Sequence, residues 1–236
     1  MTAVDAAPRR QGRDNEGTEA LRARDLYRFY RAGEEETLAL RGVALRVERG
    51  ETVAVIGPSG SGKSTLLACL AGLDEPDGGT VYVGGERISH RPEAERARVR
   101  ARRIGVLLQS GNLLAHLDVH ANLRLARFAA RGKAGHGIPE LLDQVGLGHR
   151  ARALPSELAG GELARAGLAV ALANDPDILL ADEPTGELDG ATEQRVLDLL
   201  RARADAGRGV LLVTHSPEAV RIADRVVTLR DGRIVS

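Results

Sequence analysis

Tryptophan is absent, and aromatic residues of all kinds make up only 2% of the 236 residues. A core without large rings must be filled by Leu, Val, Ala and Ile, and 43% hydrophobic residues supply enough of them. There is one cysteine, Cys69. It excludes an intrachain disulfide, and in an apolar segment it reads as a small buried side chain rather than a reactive thiol. No apolar run reaches the roughly 18 residues needed to cross a bilayer. The first residues, Met1-Thr2-Ala3-Val4-Asp5, lack the charged-then-apolar order of a signal peptide. The expectation is a cytoplasmic chain that reaches a membrane only through a partner. Net charge is missing too. Thirty-three basic residues balance 33 acidic ones, which argues against a global grip on nucleic acid.

What is present centres on Gly57-Pro58-Ser59-Gly60-Ser61-Gly62-Lys63-Ser64-Thr65. An apolar run, Thr52 to Ile56, precedes it, and another, Leu66 to Ala71, follows. Strand, glycine-rich turn and helix are the flanks that a phosphate-binding loop requires. The glycines let successive N–H groups turn towards one anion, and the helix adds the positive end of its dipole. Lys63 is expected on the β- and γ-phosphates of a nucleotide, the Ser64 hydroxyl on Mg²⁺, and Thr65 on the α-phosphate side.

Residues 1–20 are polar and without period, and read as a disordered tail. Order is expected from Leu21, so that residues 21–236 form one domain. Leu21 to Tyr30 and Leu40 to Val47 read as strands. The first ends in Tyr27-Arg28-Phe29-Tyr30, where an aromatic either stacks on a nucleobase or packs along a sheet edge. Gly33 to Glu36 is read as a solvated turn. From about 90 to 165 the pattern is mainly helical within an otherwise sheet-based chain, which marks an inserted subdomain. Its first helix, Arg91 to Arg103, carries six arginines with two glutamates and no interleaved aromatics. That is the pattern of a solvated face rather than of a nucleic-acid site.

Three further apolar runs each deliver polar groups at a C-terminal end: Gln109 after Ile104 to Leu108, Asp182-Glu183 after Ile178 to Ala181, and His215 after Gly209 to Thr214. Parallel strands gather these ends on one edge of a sheet, where ligands bind. Convergence on one nucleotide would let Asp182 hold Mg²⁺. Glu183 would orient and deprotonate the attacking water. Gln109 would reach both metal and water, and His215 would donate to the γ-phosphate.

On these residues the sequence resembles the ATP-binding subunit of ABC transporters, from about Leu21 to Ser236. The phosphate loop corresponds to Walker A, Gln109 to the Q-loop, Ile178 to Pro184 to an extended Walker B, and Gly186-Glu187-Leu188-Asp189 to the D-loop. His215 is similar to the switch histidine. Tyr30 falls where the family places its adenine-stacking aromatic, and Leu158-Ala159-Gly160-Gly161-Glu162 at the signature motif. Tyr30 to Glu34, Gly72-Leu73-Asp74 and Asn112-Leu113-Leu114 look most like the lipoprotein-release, macrolide-export and cell-division subgroup. The resemblance implies an α/β fold: a P-loop NTPase core with a mostly parallel sheet, an antiparallel β edge subdomain and the helical insert. It implies an ATPase that uses ATP and Mg²⁺. It further implies a homodimer or heterodimer whose signature residues Ala159, Gly160 and Gly161, with Asp189, meet the nucleotide of the other subunit. The partner implied is a polytopic membrane permease docked on the helical insert, with the chain peripheral on the inner face of the membrane and no nucleic acid bound.

The signature departs from the usual LSGGQ. Ala159 lacks the hydroxyl that would donate to the γ-phosphate, and Glu162 adds a negative charge. Tight binding with slow hydrolysis is expected. The alternative reading is a slow-turnover regulatory nucleotide switch. A chromosome-maintenance ATPase would need long coiled-coil insertions, which the sequence lacks.

Overall fold

The computed structural model describes residues 18–32, 35–131, 137–186 and 188–235. Long antiparallel strands β1 (Glu19–Ala32) and β2 (Glu35–Glu48) open the fold, followed by β3 (Thr52–Ile56) and α1 (Lys63–Leu70). Next come β4 (Gly78–Val83), β5 (Glu86–Arg87), α2 (Glu93–Arg103) and β6 (Ile104–Leu107). Helices α3 (Val119–Ala130), α4 (Ile138–Gln144) and α5 (Gly160–Leu172) lead to β7 (Ile178–Asp182). The chain closes with α6 (Gly190–Asp205), β8 (Gly209–Val213), α7 (Pro217–Arg221), β9 (Arg225–Arg230) and β10 (Arg233–Ile234).

A six-stranded sheet runs β10-β9-β3-β8-β7-β6, and every pairing in it is parallel except β9 with β10. Both of its faces are covered, which is why its strands are unbroken apolar runs rather than alternating ones. On β7, Ile178 and Leu180 pack into one core cluster and Leu179 and Ala181 into another. On β8, Leu211 and Val213 join the first, and Val210 and Leu212 the second. The first cluster is shared with α1 and the antiparallel sheet β2-β1-β4-β5, the second with α3 to α6. Cys69 lies in the first, and burial pushes its thiol up to about 12, so it is a core residue.

Four expectations need adjusting. Of the tail, residues 1–17 lie outside the described residues, but β1 begins at Glu19 and Ala20 is fully buried. β1 is not an edge strand, since it pairs with β2 on one side and β4 on the other. The stretch 90–165 is not one helical insert, because β6 inside it is the last strand of the parallel sheet. Of the Gly33 to Glu36 turn, residues 33 and 34 lie outside the described residues, whereas Glu35 and Glu36 belong to β2. Residues 132–136 also lie outside the described residues.

Three of the five α2 arginines are ties rather than solvated charges. Arg96 bonds Glu75 at 2.7 Å, Arg100 bonds the Gly72 carbonyl at 2.8 Å, and Arg103 bonds Asp177 at 2.7 Å. Asp177 also accepts from Arg49 at 3.3 Å and Arg208 at 3.2 Å, joining the β2–β3 turn, α2 and the entry to β8. Its side chain is only 15% exposed. Asp177→Ala would leave these guanidiniums facing one another. We expect a loss of about 2 kcal/mol, read as a Tm lowered by roughly 4–8 °C, with Asp177→Asn recovering part of it.

Candidate functional site

The phosphate loop is shaped by what its glycines leave room for. A Cβ on Gly57 would lie 2.1 Å from the Leu229 carbonyl oxygen. Gly62, the residue before α1, sits at φ +102, and a Cβ there would lie 2.5 Å from the Ala39 carbonyl oxygen. Only glycine allows this backbone to pass so close to β9 and β2. Lys63 is 8% exposed, and its ammonium donates to the Gly57 and Pro58 carbonyls at 2.8 and 2.9 Å.

The loop floors a cavity of about 820 Å³. Of the residues singled out in the sequence, Tyr30, Ser59, Gly60, Gly62, Lys63, Ser64, Thr65, Gln109, Asp182, Glu183 and His215 line it. They come together because β3, β8, β7 and β6 are parallel neighbours whose C-terminal ends open on the same edge. Gly57, Pro58 and Ser61 complete the loop beneath.

The Ser64 hydroxyl stands 3.4 Å from an Asp182 oxygen. Burial pushes the Asp182 carboxyl up and the Glu183 charge adds to this, while Ser64 and Lys63 pull it down. Among the described residues no group of three or more His, Cys, Asp or Glu could hold a metal by itself. A hydroxyl beside one carboxylate fits Mg²⁺, which takes its other ligands from phosphates and water. Glu183 occupies the left-handed region at φ +48, a strained backbone for a side chain of this size. Its N–H donates to the Val213 carbonyl at 2.9 Å. Its Oε2 accepts from the Thr214 hydroxyl at 3.3 Å and the His215 N–H at 3.2 Å. His215 Nε2 lies 3.7 Å from its other oxygen.

Tyr30 is held from one side. The Arg28 guanidinium lies 4.7 Å over its ring, and Asp74 accepts from the Tyr30 hydroxyl at 2.7 Å and from Arg28 at 2.8 and 2.9 Å. Burial and the Asp74 contact push the Tyr30 phenol up, so it stays a donor. The ring remains 41% exposed beside the cavity.

The signature residues are not brought into this cavity within one chain. Gly160 lines a second cavity of about 550 Å³, which shares Gln109, Glu183 and His215 with the first. Ala159 and Gly161 line neither, and Asp189 caps α6 by accepting from the Thr192 N–H and hydroxyl, both at 3.0 Å. Glu162 does not stand as a loose negative charge. It accepts from the Ala159 N–H at 3.0 Å, closing the first turn of α5, and pairs with Arg150 at 3.2 Å. Sequence reasoning missed the Arg28–Asp74 brace and the Glu193 contacts described below, because their separations follow no helix or strand period.

A phosphate loop with an acidic pair and a histidine at neighbouring parallel strand ends defines a P-loop nucleotide hydrolase. The profile of the ABC transporter family matches residues 40–186. An ABC transporter ATP-binding protein of Thermotoga maritima, itself uncharacterized, is 44% identical over 89% of this chain and 91% of its own length. The lipoprotein-releasing system ATP-binding protein LolD of Pseudomonas syringae pv. tomato is 41% identical over 91% of this chain and 96% of its own. The macrolide export ATP-binding/permease protein MacB of Chlorobium luteolum is 41% identical over 93% of this chain but only 33% of its own. The dimeric MJ0796, a bacterial ABC transporter cassette, superposes with a TM-score of 0.86 at 33% identity, covering 92% of this chain and 97% of that one. The chain belongs to the ABC transporter family as an ATP-binding subunit. It is an ATPase that works on ATP with Mg²⁺ and pairs with membrane permeases. The fold is the ABC cassette that the resemblance implied.

Proposed function

We propose that this chain is the energy-coupling ATPase of an export or extraction complex, closing on ATP as a dimer against a polytopic permease. The convergence of Lys63, Gln109, Asp182, Glu183 and His215 on one cavity carries the site reading. The relatives named for lipoprotein release and macrolide export support the direction. The loop N–H groups and Lys63 bind the phosphates, and Tyr30 stacks the base on its open face. Ser64, Asp182 and Gln109 would hold Mg²⁺, which would supply neutralisation of phosphate charge. Glu183 takes the proton of the attacking water, and His215 donates to the γ-phosphate. Ala159, Gly160, Gly161 and Asp189 face the nucleotide of the second subunit.

Among the described residues no helix is long and apolar enough to cross a membrane. The chain works as a peripheral protein on the cytoplasmic side. Beside α3 an open groove of about 290 Å³ is lined by Leu73, Ile104, Leu108, Ala126, Ala129 and others. Phe128 on α3 is 80% exposed, with Leu125 and Leu114 at 43% and 45%. An apolar surface of this kind suits a permease segment. Tagged Glu183→Gln protein, captured from gently solubilised membranes with Mg-ATP, should bring down a polytopic membrane protein in stoichiometric amount. Capture without such a protein would overturn the transport reading.

The signature predicts slow turnover. Ala159 is the N-cap of α5, with φ −68 and ψ 159. Ala159→Ser would restore a donor towards a charged phosphate, and turnover should rise about tenfold. A serine cap also stabilises a helix by about 0.5–2 kcal/mol, so Tm is measured alongside. A raised Tm with unchanged turnover would mean that the residue caps and does nothing else.

A further inference from the structure

Glu193 lies on the first turn of α6 and has no place in the machinery described so far. One of its carboxylate oxygens accepts two hydrogen bonds from two different loops. The Thr185 hydroxyl donates at 3.0 Å from the turn that follows Glu183. The Ser216 hydroxyl donates at 2.8 Å from the loop that follows His215. Thr185 is 4% exposed, so its contact is shielded from water. Hydroxyl-to-carboxylate bonds are among the stronger ones in proteins.

Among the described residues, Glu183 itself also links the two loops through its side chain. Its Oε2 receives the Thr214 hydroxyl and the His215 N–H. A general base makes a poor permanent strut, because taking a proton from water weakens its bonds to other donors. Glu193 supplies a second link, two residues beyond Glu183 and one beyond His215, that takes no part in proton traffic.

We infer that Glu193 is a positioning residue that holds the Glu183 and His215 loops at a fixed separation throughout turnover. The inference rests on the roles proposed above for Glu183 and His215. An acid in the first turn of a helix is favoured by the helix dipole alone, and that reading predicts a small loss of stability and no change in turnover. Positioning predicts a loss in kcat. A misplacement of the base and the donor relative to each other costs roughly tenfold or more in rate without altering the phosphate loop.

The test is steady-state ATPase kinetics on the full chain, with Tm measured for every variant. Glu193→Ala should lower kcat about tenfold and leave KM for ATP nearly unchanged, at a temperature where the variant is fully folded. Glu193→Gln should recover most of the rate, because its amide oxygen can still accept both hydroxyls. Thr185→Val cuts one tie with little change of shape. It should give a smaller loss, and that loss should disappear in the Glu193→Ala background. A Glu193→Ala enzyme with normal kcat, or a Glu193→Gln enzyme as slow as Glu193→Ala, would overturn the inference. If Glu183→Gln also turns over normally, the failure lies in the role given to Glu183 rather than in Glu193.

Discussion

Glu183→Gln is expected to stop steady phosphate release, lowering kcat by about 10²–10⁴-fold, the usual share of a general base. The fold should be untouched. The Thr214 hydroxyl and the His215 N–H are both donors to Glu183, so a glutamine can turn its carbonyl oxygen to them and keep both contacts. What it cannot do is accept a proton from water. The phosphate loop and Asp182 are unaltered, so Mg-ATP still binds, and the closed dimer should accumulate because the step that reopens it is missing. Phosphate release, nucleotide affinity and gel-filtration mass with and without Mg-ATP read these three consequences separately. The left-handed backbone at Glu183 gives a control. Glu183→Gly relieves that strain, gives up the bonds from Thr214 and His215 and removes the base, so it should be as inactive as Glu183→Gln with little net change in stability. Turnover within about tenfold of the parent in Glu183→Gln would place the base elsewhere.

How much of this was legible follows from how local each signal is. β3, β7 and β8 are unbroken apolar runs because both faces of their sheet are covered, and a run needs no knowledge of its partners to be seen. The phosphate loop is equally local: nine consecutive residues between a strand and a helix. Gln109, the Asp182-Glu183 pair and His215 were found because each follows such a run. β5, only two residues long, carries no periodicity to read. β1 was ambiguous because its place inside the antiparallel sheet depends on β4, which is remote in sequence. Long-range charge pairing was illegible altogether. Glu162 reads as an unwanted charge at the signature until Arg150 is seen beside it, and the α2 arginines read as a wet face until Glu75, Gly72 and Asp177 are placed. Arg28 and Asp74 are 46 positions apart, and Thr185 and Ser216 are joined through Glu193. Such contacts are made by the fold and have no spacing of their own.

Lys63→Met should weaken ATP binding about a hundredfold, close to the full value of a charge-assisted contact to phosphate. The geometry gives two reasons for a loss at this upper end. An ammonium has three donors, and the Gly57 and Pro58 carbonyls take two of them, which aims the third out of the loop into the cavity. Methionine has nearly the same length and fits the same buried slot, but it leaves those two carbonyls without a donor. Their negative ends then face the phosphates that the lysine had attracted. Lys63→Arg is not a mild change either. A planar fork cannot place two donors on adjacent carbonyls inside so tight a loop and still reach outward. Binding should therefore fall in both variants, more steeply in Lys63→Met, and the Tm without nucleotide is measured alongside, because the two unpaired carbonyls also lower stability. Titration with a fluorescent ATP analogue at two ionic strengths would show it, with the salt dependence shallower in Lys63→Met because one charge has left the site. An affinity within about threefold of the parent would mean that the loop amides and the N-terminus of α1 bind the phosphates without help, and that the buried lysine serves only to close the loop.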